Sequence, residues 1–208
     1  MGTKHIKKID PTFKRKFGID TPIIYLEYSI IEKGCEKQFE RSWKRFYHKA
    51  EPIISDFRIQ RFQAFFRQLA KEKNDDHYTE RVAIKFISPK VGYGVFAKKN
   101  IAPYSTLGHY TGIFRPDKEI ELSHDSTFAF TDYKSFSIDA VKMGNWTRFM
   151  NHGEEKMQRA NVISWEYYDE KEPRIVFTSG PRGIKKGEQL LYSYGESYWE
   201  DKKFLTLS

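Results

Sequence analysis

Residues 137–152, SIDAVKMGNWTRFMNH, place an arginine, two asparagines and a histidine among apolar residues within one short span. The run begins as a strand-like segment, is broken at Gly144-Asn145, and then resumes its apolar character at helical spacing. Buried polar side chains must be hydrogen-bonded, so the plain interpretation of Arg148 and His152 is a satisfied polar network in the core. The alternative is a binding site, and other parts of the chain decide between the two.

Two further stretches carry residues suited to a site. Residues 187–195, GEQLLYSYG, are expected to form a strand with Tyr192 and Tyr194 on one face, because strand side chains alternate. Gly92-Tyr93-Gly94 lies between strand-like runs, where glycine permits a close approach to a ligand that a Cβ would block. A lone GxG is usually a hairpin turn, and the Rossmann and P-loop patterns are both missing, so a nucleotide site of those kinds is not expected.

Together these stretches resemble the ordered motifs of the SET-domain protein-lysine methyltransferases. Residues 92–112, GYGVFAKKNIAPYSTLGHYTG, are similar to the family's GxGxFAxxxIxxGxxxxxYxG. RFMNHG at 148–153 is similar to RFINHS, and GEQLLYSYG is similar to GEELxYDYG. The resemblance covers about residues 82–204 and does not include the family's cysteine-rich pre-SET and post-SET zinc modules. It implies a mostly-β fold of several short sheets, with a pseudoknot that brings 148–152 beside 192–194.

The resemblance also implies roles for individual residues. Tyr194 matches the family's catalytic tyrosine and Tyr110 its pocket tyrosine. Tyr192 stands where the family has Phe or Tyr, and a hydroxyl there restricts the room for further methyl groups, so monomethylation is expected. The residues expected to bind the cofactor, S-adenosylmethionine, are Gly92, Tyr93, Gly94, Arg148, Asn151, His152 and Trp199. Candidates for the substrate wall, from the variable insert at 113–136, are Phe128, Phe130 and Tyr133.

Two departures from the family pattern affect this site. The family's HSCxPN becomes a longer stretch from His152 to Asn161, and Ser193 replaces the family's Asp. The longer loop is expected to reshape the exit of the cofactor, whereas Ser193 keeps an acceptor but loses a charge. Cofactor affinity and the anchoring of the last strand are the properties that these changes put in question.

The composition limits the class of protein. The 208 residues suffice for one ordinary domain with an appended element, and the apolar content of 39% is enough for a core. A single cysteine, Cys35, excludes an intrachain disulfide framework and a multi-cysteine zinc site, and the histidines are scattered, so no metal is expected. A reducing compartment, either the cytoplasm or the nucleus, fits this usage, and so does a secreted bacterial effector acting in a host.

Membrane insertion is not expected, and the charge is basic. The N-terminus lacks an apolar h-region, and no run approaches the roughly 20 residues that span a bilayer, so a soluble protein is expected. The net charge is +8, of which residues 1–80 carry +5. Such an excess favours acidic surfaces or nucleic acid, although it is commonly a solubilising surface. The 17 Phe, 13 Tyr and 4 Trp indicate an aromatic core or a pocket lined by rings.

The elements that must position these residues divide near Thr79. Residues 1–80 are expected to form a basic arm and a helical pair, and 22–28 are either a strand or an apolar patch. Helical spacing is seen for Phe39, Trp43, Phe46 and Tyr47, and again after Pro52 for Ile54, Phe57, Arg61, Phe65 and Leu69. A mostly-β domain follows at 81–195, and residues 196–208 are expected to complete the pocket. Its strands are predicted at 82–88, 94–97, 106–113, 127–133, 135–140, 162–168, 174–179 and 189–194.

Two other functions fit parts of the sequence. One is a catalytically silent SET fold used as a binding module, against which the retained Tyr110, Asn151, His152 and Tyr194 argue. The other is a basic nucleic-acid-binding protein. The expected partner is a protein substrate with an exposed lysine, such as a histone or another basic protein. The N-terminal region would be a separate module for stability, dimerisation as a homodimer or docking, and its charge allows proximity to DNA or a nucleosome.

Overall fold

A computed structural model describes residues 10–54, 76–120, 126–153, 159–168 and 171–195. The helices in these ranges are α1 (Thr12–Phe17), α2 (Glu36–Ile54) and α3 (Asp76–Arg81), with short 3-10 helices at Asp117–Glu119 and Trp146–Phe149. The strands are β1 (Ile24–Tyr25), β2 (Ile30–Ile31), β3 (Val82–Ser88), β4 (Gly92–Ala97), β5 (Thr106–Tyr110), β6 (Ile113–Pro116), β7 (Thr127–Phe128), β8 (Phe136–Asp139), β9 (Met143–Gly144), β10 (Asn151–His152), β11 (Val162–Tyr168), β12 (Pro173–Ser179) and β13 (Leu191–Tyr192). No helix in this part of the chain is both long enough and apolar enough to cross a membrane.

The largest sheet has an uncommon strand order. Its five strands lie in the order β10, β13, β11, β12, β5. Both neighbours of β13 run parallel to it, with Asn151 opposite Leu191 on one side and Val162 opposite Tyr192 on the other. Residues 153–161 join β10 to β11 along the chain, so the last strand lies between two strands that are consecutive before it. This is the pseudoknot that the family resemblance implied, a rare exception to unthreaded connections.

The predicted strand at 106–113 is divided between two sheets. β5 ends at Tyr110 in the five-stranded sheet, whereas β6 begins at Ile113 in a four-stranded sheet of order β2, β6, β8, β7. At the crossing, Gly112 lies against the backbone of Asp139, where an added Cβ would come within 2.5 Å of the Asp139 carbonyl oxygen. Only glycine permits this approach, and the chain therefore changes sheets at this point.

Most other strand predictions are confirmed. β3 and β11 occupy 82–88 and 162–168 as predicted, and β4, β8 and β12 differ from the predicted bounds by one or two residues. The prediction at 127–133 is wrong in extent, because only Thr127–Phe128 is strand. The following aromatic residues are drawn into the core towards α2: Tyr133 lies 5.2 Å from Trp43 between ring centroids.

The last predicted strand, 189–194, is also shorter than expected. Only Leu191–Tyr192 forms a ladder, with one isolated bridge from Gln189 to Phe96. The ladder does not reach Tyr194, because the Tyr194 backbone N–H donates to the His152 side chain rather than to a neighbouring strand.

The described N-terminal residues belong to the same core as the rest of the chain. β1 pairs in parallel with β9, and β2 extends the four-stranded sheet beside β6. Phe39 and Trp43 of α2 are 3% and 2% exposed and lie in the main hydrophobic cluster. For residues 10–54 the structure therefore corrects the expectation of a separate module, whereas the boundary near Thr79 stays a prediction. The open question at 22–28 is decided for a short strand.

The predicted helical pair is found in part. The first helix is confirmed as α2, but α2 continues through Pro52 to Ile54, so the proline does not begin a second helix. The proline lacks the N–H that would bond to a carbonyl one turn earlier, so α2 contains one bond fewer. The remaining residues of the predicted second helix, 55–69, and the first nine residues of the basic arm lie outside the described residues.

A buried polar network holds β5 against the Trp146–Phe149 helix. Asn145 Nδ2 donates to the His109 carbonyl at 2.8 Å, and Asn145 Oδ1 accepts from the Thr147 backbone N–H at 3.0 Å. The His109 ring is itself buried. Burial, together with the nearby charge of Arg174, lowers the pKa of His109 to about 4. This part of the polar cluster is therefore core scaffolding, and its histidine is neutral near pH 7.

The neutral His109 predicts a pH dependence of stability. The unfolded chain binds a proton at this residue near pH 6.5, whereas the folded chain does so only near pH 4, so stability is lost as the pH falls from 6.5 to 4. We expect His109→Gln to remove about 3 kcal/mol of that loss, measured by urea unfolding between pH 7 and pH 4. His48→Gln, at an exposed histidine, is the control and keeps the wild-type slope. An unchanged slope in His109→Gln would contradict the assignment.

Candidate active site

The C-terminal strand β13 is held from both sides. Gly153 N–H donates to the Tyr192 carbonyl at 3.0 Å, and Asn161 N–H donates to the Leu191 carbonyl at 3.0 Å. The Asn161 side chain adds two bonds, because Oδ1 accepts from Leu191 N–H and Nδ2 donates to the Gln189 carbonyl, both at 2.9 Å. The sequence placed Asn161 at the end of the lengthened motif without a role. In the structure it anchors the last strand.

This anchoring brings Tyr194 to the polar motif. Tyr194 N–H donates to His152 Nδ1 at 3.2 Å, and the Tyr194 hydroxyl donates to the Met150 carbonyl at 2.8 Å. The rings of Tyr194 and His152 are 5.4 Å apart, and the Tyr192 ring is 4.8 Å from Tyr194. Because Nδ1 of His152 accepts a hydrogen bond, that nitrogen carries no proton, and the backbone of Tyr194 thereby fixes the tautomer.

Aromatic rings form a wall beside these tyrosines. Tyr192 is 7% exposed, lies 5.0 Å from Phe177 and stacks on Phe128 at 6.2 Å with an interplanar angle of 13°. Tyr110 lies 5.6 Å from Phe128. Phe177 was foreseen only as a residue of a predicted strand, since nothing in its local pattern separates a wall residue from ordinary packing. The structure thus brings Tyr110, Tyr192 and Phe128 together as expected.

Ser126 joins two of the predicted site residues. Its carbonyl accepts from the Tyr110 hydroxyl at 2.7 Å, and its Oγ accepts from Arg148 Nη2 at 3.0 Å. Arg148 Nε donates to the Ala140 carbonyl at 2.6 Å, and its guanidinium lies 4.8 Å from the centre of the Phe149 ring. Burial lowers the pKa of Arg148. Sequence reasoning missed Ser126, because its bond to Tyr110 uses a backbone carbonyl, and its bond to Arg148 joins residues 22 positions apart.

The Gly92–Gly94 stretch meets the motif at Asn151. Asn151 Nδ2 donates to the Tyr93 carbonyl at 3.2 Å. A Cβ added to Gly94 would lie 3.1 Å from Asn151 Nδ2 and 2.7 Å from Gln189 Nε2, so only glycine fits here without displacing them. Gly92–Gly94 does not lie between strands as expected, since it begins β4 and pairs with β3.

A cavity opens beside Tyr194. It has a volume of 860 Å³ and is lined by the variable insert, by the start of β11 and by the turn after β12. Tyr194 and Phe128 are on its wall, together with Ser193, whose Oγ accepts from Gly195 N–H at 3.3 Å. The hydroxyl that replaces the family's carboxylate therefore makes a local turn contact. Trp199 lies outside the described residues.

The other two insert candidates are core residues. Phe130 and Tyr133 are each 1% exposed, and Tyr133 is not on the wall of the cavity. The Tyr133 hydroxyl lies 2.6 Å from Ser42 Oγ of α2, and burial raises the pKa of Tyr133 to about 12. Phe130 borders the cavity with almost no accessible surface. These rings support the cavity wall from behind.

A separate group of potential metal ligands lies away from this cavity. Glu32, Cys35 and Glu119 place one ligand atom each within 4.8 Å of the others. Partial burial and the two carboxylates raise the pKa of the Cys35 thiol, which disfavours the thiolate form that binds metals. The expectation that no metal is bound stays a prediction.

Comparison with protein-family profiles shows the family of this chain. The sequence profile of the SET domain matches residues 92–195, half of the chain. The chain belongs to the SET-domain family. The matched range begins at the Gly92–Gly94 stretch and ends just after Tyr194, so it contains every predicted site residue except Trp199. The SET-domain fold predicted from the ordered motifs is thereby confirmed.

Two histone-lysine methyltransferases are similar to half of the chain or more. It is 33% identical to the histone-lysine N-methyltransferase EHMT1 of Homo sapiens over 202 residues, which is 89% of this chain and 15% of that protein. It is 34% identical to the histone-lysine N-methyltransferase SUV39H2 of Xenopus tropicalis over 113 residues, covering 50% of this chain and 27% of the relative. The chain thus spans a minor part of the curated relatives it matches.

Solved structures show the same fold. The structure of ATXR5 in complex with histone H3.1 mono-methylated on R26 superposes with a TM-score of 0.58 at 19% identity, covering 89% of this chain and 84% of that one. The structure of ctPRC2 in an autoinhibited conformation bound to S-adenosylmethionine gives a TM-score of 0.50 at 26% identity, covering 61% of this chain and 16% of that one.

The anchoring role of Asn161 can be measured. We expect Asn161→Ala to lower the free energy of unfolding by about 2 kcal/mol, because it leaves Leu191 N–H and the Gln189 carbonyl without their side-chain partners. Asn100→Ala is the control, since Asn100 Oδ1 accepts from Lys186 N–H in an exposed turn. Chemical denaturation of both variants tests this. Equal losses would show that Asn161 does no more than an exposed turn residue.

Proposed function

We propose that this chain is an S-adenosylmethionine-dependent methyltransferase that acts on lysine side chains of a protein substrate. The observation that carries the proposal is the position of Tyr194, whose hydroxyl is bonded to the Met150 carbonyl and whose ring borders the 860 Å³ cavity. The Asn151-His152 motif lies on one side of Tyr194. The cavity lies on the other side, where a substrate would enter. The similarity to two histone-lysine methyltransferases supports the same reaction class.

The residues beside Tyr194 fit the cofactor. A bound S-adenosylmethionine supplies a methyl group already activated by its sulfonium, which an amine nitrogen takes by in-line displacement. Arg148 offers a half-buried cation, and Asn151 and His152 offer polar edges in adjacent positions of β10. Gly94 keeps the space next to Asn151 free of a side chain. We infer that Gly92, Tyr93, Gly94, Arg148, Asn151 and His152 would hold the cofactor, with Trp199 as a further candidate.

The main task of the protein groups is to position a neutral amine. Lysine in water has a pKa of about 10.4, so its ammonium must lose a proton before it can react. Rings at Tyr110, Tyr192 and Phe128 form an apolar wall, which disfavours the charged form by desolvation, while ring faces still admit the approaching cation. Holding the nitrogen in line converts an encounter into an intramolecular step. The Tyr194 hydroxyl would orient the amine, and Tyr110 would assist.

The degree of methylation is assigned to Tyr192. Its ring is fixed between Phe128 and Phe177, so its hydroxyl cannot move aside without disturbing two neighbours. A hydroxyl in this position occupies space and bonds to the amine, which leaves little room for an amine that already carries a methyl group. We therefore propose mainly monomethylation.

The proposed substrate follows from the chemistry of the site and from the similarity to histone-lysine methyltransferases. It is a protein with an exposed lysine, and a histone or another basic protein is the first candidate, since the relatives are named for histone lysines. A nuclear place of action would follow from a histone substrate. The cavity wall contributed by the insert, with Phe128 as its aromatic member, would select the sequence around the lysine.

The role of Tyr194 predicts the effect of removing its hydroxyl. We expect Tyr194→Phe to lower kcat by about 100-fold, the typical effect of losing one positioned donor, while cofactor binding changes little. The assay is transfer of a radiolabelled methyl group to a panel of histones and basic proteins, with calorimetry of S-adenosylmethionine binding alongside. Tyr28→Phe, at an exposed tyrosine, is the control. Wild-type cofactor binding without turnover on any substrate would instead favour a silent binding module.

The role of Tyr192 predicts a change of product. We expect Tyr192→Phe to shift the product from monomethyl-lysine to dimethyl- and trimethyl-lysine, because removing the hydroxyl frees space for the larger amine. Mass spectrometry of the modified peptide measures the ratio. Tyr167→Phe, a buried tyrosine of a second small cluster with Val176, is the matched control. Wild-type spectra dominated by trimethyl-lysine would overturn the assignment.

A further inference from the structure

A second concave surface adjoins the cavity. It has a volume of 460 Å³. We call it the basic pocket, and its lining residues are Arg159, Asn161, Arg182, Gly183, Lys185, Glu188, Gln189 and Leu191. Three of them, Asn161, Arg182 and Gly183, also line the 860 Å³ cavity. The two spaces therefore share a border, which places the basic pocket next to the larger cavity.

The basic pocket carries a positive charge. Arg159, Arg182 and Lys185 are exposed cations on its rim. Among the described lining residues, Glu188 is the one acid, and its Oε2 accepts from the backbone N–H of Lys185 at 2.9 Å. That carboxylate is thus engaged by its own turn. The described lining thus has three positive charges and one negative charge, a net positive surface that suits a phosphoryl or carboxylate group.

The floor of the basic pocket is rigid. It consists of Asn161 and the strand that Asn161 anchors, with both amide groups of this side chain bonded to backbone. Leu191 lies in the ladder between β10 and β13. The exposed cations therefore border a lining whose backbone is held by hydrogen bonds.

We propose that the basic pocket binds an anionic side chain of the protein substrate, a phosphorylated residue or an acidic one, close in sequence to the target lysine. The inference rests on the proposed methyltransferase function. The volume of 460 Å³ admits an anionic side chain together with its flanking backbone, whereas three cations in one small pocket are few for a DNA duplex, which is bound through many phosphate contacts. The border shared with the cavity beside Tyr194 places both spaces within the span of one substrate peptide. Substrate selection then combines an aromatic wall for the lysine with a cationic pocket for its neighbour.

The test uses binding of matched peptides to the full chain. Each peptide has one central lysine in an otherwise alanine and glycine background, and glutamate, phosphoserine, lysine or alanine is moved through the flanking positions. Fluorescence anisotropy at low and at high salt measures affinity. We expect glutamate or phosphoserine at one or two positions to bind about tenfold tighter than alanine there, with a smaller gap at high salt. Equal affinities, or tighter binding of lysine-flanked peptides, would overturn the proposal.

Variants assign the effect to the basic pocket. Arg159→Ala and Lys185→Ala should each reduce the anion preference by about threefold or more. Lys37→Ala on α2 makes the same change of charge far from the site residues and should leave the preference intact. Thermal unfolding checks that all three variants are folded. A preference that survives Arg159→Ala and Lys185→Ala, or falls equally with Lys37→Ala, would contradict the assignment.

Two further measurements distinguish a failure of this proposal from a failure of the proposed methyltransferase function. A DNA duplex is titrated against the same variants, and loss of DNA binding with no change in peptide preference would give this surface to nucleic acid and overturn the proposal. Methyl transfer is then measured on the tightest peptide and on its alanine counterpart. Equal methyl transfer to both peptides would refute anion binding by the basic pocket but would leave the proposed methyltransferase function intact. Anion-selective binding that depends on Arg159 and Lys185, without transfer, would support the pocket and refute the methyltransferase.

Discussion

The insertion of β13 between β10 and β11 is the constraint on which the site depends. A strand with a ladder of only two residues has little cohesion of its own, and here it is bonded through Gly153 on one side and through Asn161 on the other. The two bonds from the Asn161 side chain extend this hold to Gln189. Because Tyr192 and Tyr194 lie at the end of this strand, the same bonds fix the aromatic groups relative to His152.

The helix α2 supports the wall of the cavity on the side away from the open space. Tyr133 and Phe130 belong to the insert, and they pack towards α2. The Trp43 ring of α2 lies 5.2 Å from the Tyr133 ring. Phe46 reaches Tyr168 of β11, also at 5.2 Å. The wall that faces a substrate is thus the outer surface of an aromatic core that extends into the N-terminal region, and close-packed cores move little. The shape of this wall therefore depends on residues outside the matched family range.

The polar cluster at 145–152 has two different functions within a few residues. Asn145 and Thr147 are bonded to each other and to the His109 carbonyl, where they join two elements of the core. Arg148, Asn151 and His152 instead reach the insert, β4 and the last strand. Asn145 and Thr147 are therefore core scaffolding, whereas the interpretation of Arg148, Asn151 and His152 as a site stays a proposal. The two groups lie in different elements, since Asn145 and Thr147 are at the start of the short helix, whereas Arg148 is near its end and Asn151 and His152 form β10.

The sequence by itself determined the family, the mostly-β class and the strands at 82–88 and 162–168, because ordered motifs and residue alternation are properties of the chain alone. It also indicated that Tyr192 and Tyr194 would meet the Arg148–His152 motif. Only the tertiary structure decided that Ser126 links Tyr110 to Arg148, that Tyr133 supports the wall rather than forming it, and that Arg159 and Lys185 surround one small space. The physical reason is that these contacts join residues far apart in sequence, through backbone groups or burial that leave no local pattern.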